Sequence, residues 1–87
     1  MPNRSTPRKD GAIEHLLSLL TNCRDLAVGQ QLAEARDVLR GARLVASGFG
    51  IDASVVFDQL DKAIISKPFY VLNEEFLRAA KVIKSKA

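Results

Sequence analysis

Apolar residues recur along this chain at spacings of three and four, the repeat of an α-helix that buries one face. Ile13, Leu16, Leu20, Cys23 and Ala27 make the first stripe, widened by Leu17. Asp10 stands where its carboxylate would cap free amides at the start of this helix. Gly29 stands where glycine, which accepts the left-handed conformation, would close it. A second stripe, Leu32, Ala35, Leu39, Ala42 and Ala46 with Val38 and Val45 beside it, predicts a helix over 30–47. Its alanines and Gly41 allow another helix to come close. Gly41 also weakens the helix by up to about 1 kcal/mol relative to alanine, which marks a place for a kink.

The segment Gly48-Phe49-Gly50 interrupts the pattern. Beyond it Ile51 is apolar and Asp52 is a natural cap for a third helix over 53–66, with Ala53, Val56, Phe57, Leu60 and Ile64 facing inward. Pro68 disfavours helical geometry at Lys67 and ends that helix. The last segment has two readings. Residues 69–72 form a short strand before a helix over 74–86, or Pro68 opens one longer helix with Phe69, Leu72, Phe76, Ala80 and Ile83 on one face. The longer helix is favoured, because a lone strand has no partner for its backbone hydrogen bonds. The expected fold class is therefore all-α, a small four-helix bundle-like domain with short loops over 10–87.

Residues 1–9 hold two prolines, three basic groups and almost nothing apolar, and are expected to form a flexible basic arm. With 87 residues there is room for one domain, and a 47% apolar content is enough for one core. The single cysteine and single histidine exclude a disulfide framework and a recognisable metal site, so neither cofactor nor metal is expected. Cys23 lies on the apolar stripe and reads as a small core hydrophobe. No run is apolar and long enough for a membrane span, and no secretory signal stands out, so a cytoplasmic protein is expected. A lone thiol fits that compartment.

The net charge of +3 is unevenly spread. Residues 78–87 carry Arg78, Lys81, Lys84 and Lys86 without an acid, residues 1–9 are basic too, and the stretch between them is net acidic. Arg36, Arg40 and Arg43, at spacings of four and three, form one ridge on the second helix. Guanidinium groups bind oxygen pairs well, so this ridge is the candidate for phosphate or nucleic-acid contacts, while nearby Glu34 and Asp37 offer ordinary intrahelical pairing.

Residues 46–60 resemble the helix-turn-helix DNA-binding motif. The small Ala46, the turn glycine Gly50, the apolar Ile51 and the inward Val56 occupy the positions that carry the resemblance. It implies a second helix that reads a DNA groove. Asp52, Asp58 and Asp61 against Lys62 oppose that use, because such a helix faces phosphates.

No nucleophile, base and orienting group recur in a recognisable pattern, so an enzyme is not expected. The function expected from the sequence is a non-catalytic module for protein–protein interaction, with self-association as a homodimer among the outcomes. Small nucleic-acid-associated proteins are the alternative, and membrane binding is not expected. Ile65, Tyr70 and Val71 fall outside the core stripes and are the candidate protein interface.

Overall fold

The computed structural model describes residues 5–86, with side chains from Gly11 onward. Four helices follow one another: α1 (Ser5–Val28), α2 (Leu32–Gly48), α3 (Ser54–Ser66) and α4 (Phe69–Lys84), and no strand occurs among the described residues. Each helix packs on its neighbours in sequence, and α4 closes the ring against α1. Contacts along the pairs run in opposite directions, so neighbours are antiparallel. Arg36 meets Asp61 and Arg43 meets Asp58 across α2 and α3. Thr21 lies near Leu77, and Val28 near Phe69, across α1 and α4.

Helix α1 begins earlier than expected. Residues 5–9, assigned above to the arm, belong to it, and Asp10 lies inside it; residues 1–4 fall outside the described residues. Pro7 does not prevent this, since the first helical amides have no intrahelical partner in any case.

The end of α1 also differs. The left-handed residue is Gln30, with φ +66°, and not Gly29. Gln30 N–H donates to Ala27 O (3.0 Å) and Gln31 N–H to Leu26 O (2.8 Å), the pair of reversed bonds that closes a Schellman turn. The end of α2 repeats the device with a glycine. Gly50 has φ +68°, Gly50 N–H donates to Ser47 O (3.1 Å) and Ile51 N–H to Ala46 O (2.8 Å). Gly41 and Gly48 sit within an unbroken α2.

A side chain at left-handed φ is strained, by about 1–2 kcal/mol for an ordinary residue. Gln30→Gly is therefore expected to stabilise the protein by about 0.5–1 kcal/mol, the larger unfolded-state entropy of glycine offsetting part of the relief. A urea titration measures it; an unchanged or lower midpoint would show that Gln30 is held there by something other than the turn.

Asp52 makes no cap. The position before α3 is Ala53, with no side-chain hydrogen bond, so Asp52 stands one residue too early. The longer reading of the last helix is the correct one, with extended Pro68 (ψ 150°) leading into α4.

The core follows the stripes closely. Ile13, Leu16, Leu20, Cys23, Leu39, Phe57, Leu60, Ile64, Leu72, Phe76 and Ile83 are buried, and so are the α2 alanines Ala35, Ala42 and Ala46. Two expected members are exposed: Leu32 and Phe69, the first residues of α2 and α4. Helical side chains lean toward the N-terminus, so those of a first turn point past the end of the bundle. On α4 the inward alanine is Ala79, with Ala80 half-buried, and on α3 Val56 is half-buried while Ala63 is buried.

Candidate interaction surfaces

The antiparallel order brings the end of α1, the start of α2, the end of α3 and the start of α4 to one end of the bundle. Val28, Leu32, Ile65, Phe69 and Tyr70 are all exposed there, Ile65 at 60% and Tyr70 at 73%. Phe69 and Tyr70 meet edge to face, with ring centroids 5.8 Å apart. They line an open pocket with Arg24, Asp25, Val28 and Asn73. Of the three interface candidates, Tyr70 sits in this pocket. Ile65 is on the last turn of α3 at the same end, and Val71 is half-buried on another face of α4. Leu32 and Phe69 were missed because each satisfied a core stripe in the sequence. Their exposure follows from where neighbouring helices stop.

The arginine ridge is a clasp between α2 and α3. Arg36 donates through Nε to Asp61 Oδ1 (2.9 Å) and through Nη2 to Oδ2 (3.4 Å). Arg43 Nη2 donates to Asp58 Oδ1 (2.7 Å), and its guanidinium lies 5.8 Å from the centroid of the Phe57 ring. Arg40 pairs with Asp37 on its own helix (3.0 Å). Asp58 and Asp61, the acids that weighed against a groove-reading helix, thus face α2. The three arginines offered as phosphate ligands already hold carboxylates. These pairs are solvent-exposed, so Arg36→Ala is expected to cost less than about 1 kcal/mol in thermal unfolding. A larger loss would mean that the clasp, and not the apolar seam beneath it, holds α3 in place.

The segment that resembles helix-turn-helix proteins has a complete local explanation. Ala46, Gly50 and Ile51 are the hydrogen-bonding members of the turn that ends α2, and Ile51 is buried. Val56 lies along α4, beside Ala79 and Val82.

Cys23 is fully buried, and its Sγ donates to Ala35 O across the α1–α2 seam (3.1 Å). Burial, with the Asp61 carboxylate adding to it, pushes the thiol from its ordinary 9.0 up to about 12. A thiol held protonated in this way is a packing group and not a nucleophile. His15 is exposed on α1. Among the described residues no three His, Cys, Asp or Glu side chains gather where a metal ion could sit, and no helix is long and apolar enough to cross a membrane.

No protein family, curated protein or solved structure matches this chain.

Proposed function

We propose that this protein is a non-catalytic interaction module that docks a partner protein at the end of the bundle carrying Val28, Leu32, Ile65, Phe69 and Tyr70. One observation carries the reading: five large apolar side chains, two of them aromatic, are exposed at the same end. Aromatic anchors beside polar groups such as Arg24 and Asn73 have the composition of a binding patch. A second copy of the chain is one such partner, because a small domain gains stability by covering leftover apolar surface.

Affinity capture from the source cell, with nuclease added, tests the proposal. The wild-type protein should recover a protein partner that Phe69→Ser combined with Tyr70→Glu loses and Arg36→Ala retains. Retention by the double variant would remove this end of the bundle from consideration. Light scattering over a dilution series addresses self-association, since a 9.5 kDa particle at high micromolar concentration excludes a homodimer.

Nucleic-acid association is the second reading. One observation favours it: antiparallel α1 and α4 put the first turns of α1, whose sequence includes Arg8 and Lys9, and the basic residues 78–86 at the same end. The pairing of Arg36, Arg40 and Arg43 with aspartates weighs against it, because binding a phosphate there would first break an ion pair. Weak binding to duplex DNA at about 0.15 M salt is expected. Submicromolar affinity lost on Arg36→Ala with Arg40→Ala would reverse the order of the two readings.

A further inference from the structure

The surface between α1 and α4 is a groove. Leu20 and Phe76 are buried at its floor, and its walls carry half-buried Leu17 and Leu77, which is 52% exposed. Arg24 also lines the pocket of Phe69 and Tyr70, so groove and pocket follow one another along α4. Together they follow α4, whose sixteen residues span about 24 Å.

Its two ends differ in chemistry. One end is aromatic. At the other stands Lys84, with exposed Lys81 one turn away on the same face of α4. Among the described residues neither lysine is in an ion pair. Among the described residues the one acid lining the groove or the pocket of Phe69 and Tyr70, Asp25, is already bonded to Arg24 at 3.0 Å. Apolar floor, cationic end and aromatic end fit a helix laid lengthwise, as in recognition of an amphipathic helix by a hydrophobic groove.

We propose that the α1–α4 groove receives an acidic amphipathic helix of a partner protein, with its acidic N-terminal turns at Lys81 and Lys84 and its apolar C-terminal turns at Phe69 and Tyr70. The orientation follows from electrostatics. Acidic side chains are favourable at a helix N-terminus, and an incoming helix antiparallel to α4 sets its positive dipole end against the negative end of α4. This inference rests on reading the chain as a protein-binding module, and it names the chemistry of the partner.

Three fluorescein-labelled 16-residue peptides test it by anisotropy against the full chain. All three carry leucines at helical spacing. The first has glutamates in its first two turns, the second has them in its last two, and the third has lysines in place of the glutamates. The first peptide should bind at least about tenfold more tightly than either of the others. Leu77→Asp, and Lys81→Glu with Lys84→Glu, should each weaken it by about tenfold or more, and Leu44→Asp, at an exposed position on α2, should leave it unchanged. Far-ultraviolet dichroism checks that each variant is folded.

Equal affinity for the glutamate and lysine peptides would overturn the proposal, as would unaltered binding by folded Leu77→Asp or no binding of any peptide. Displacement of the first peptide by duplex DNA at lower concentration than by unlabelled peptide would assign the cationic end to nucleic acid and also overturn it. The two readings fail separately. Loss of peptide binding with intact partner capture defeats the groove alone, whereas partner capture that survives loss of Phe69 and Tyr70 defeats the wider reading.

Discussion

Phe57→Ala is expected to cost about 3–5 kcal/mol, the range for truncating a buried aromatic residue. Phe57 is 1% exposed, among the largest fully buried side chains, and it stands on the shortest of the four helices. With thirteen residues, α3 has few other contacts to compensate, and truncation also removes the ring beneath the Arg43 guanidinium. The expected loss is a large fraction of the roughly 5–15 kcal/mol typical of a whole domain. At about 4–8 °C per kcal/mol for a chain of this size, the melting temperature should fall by tens of degrees. Val55→Ala is the matched control, since Val55 is exposed on the same helix and should stay within about 0.5 kcal/mol of wild type. If the two variants melt together, the inward face of α3 has been misassigned.

Alkaline pH should destabilise the protein through Cys23. In the unfolded chain the thiol ionises near 9.0, and in the folded protein near 12. Between those values the native state keeps a proton that the unfolded state has lost, so stability falls as pH rises. The contribution is fully present below pH 9.0 and is lost on the way to about 12, by up to about 1.4 kcal/mol for each pH unit. The informative quantity is the difference between wild type and Cys23→Ala, because it cancels every contribution that does not come from the thiol. Wild type should lose stability more steeply from pH 9 to 11. Parallel curves would mean that water reaches the sulfur. Alkylation gives an independent check: iodoacetamide at pH 8 should modify Cys23 far more slowly in folded than in urea-unfolded protein.

The positions of the helices were legible because they depend on neighbours in sequence. Stripes at spacings of three and four selected Leu16, Leu39, Leu60 and Phe76, and all four are buried. Pro68 and the glycines near 48–50 marked two breaks correctly. Helix ends were read less well. Asp52 and Gly29 have the right chemistry one residue away from the positions that do the work, Ala53 and Gln30. A capping preference of about 1 kcal/mol is too small to outweigh the packing that sets where a helix stops.

The surfaces were harder to read because exposure is a relation between helices. Phe69 and Leu32 carry the same apolar signal as core residues, and only the ends of α1 and α3 decide that nothing covers them. Arg36 and Asp61 are 25 residues apart, so no local rule joins them. The sequence by itself determined an all-helical chain, its four apolar stripes and an inward Cys23 position, since these follow from periodicity and side-chain chemistry. Tertiary structure alone decided which charges neutralise one another, which apolar ends stay open, and that α1 and α4 enclose a groove. Those outcomes depend on the antiparallel order and relative lengths of the helices, which bring together residues that the chain keeps far apart.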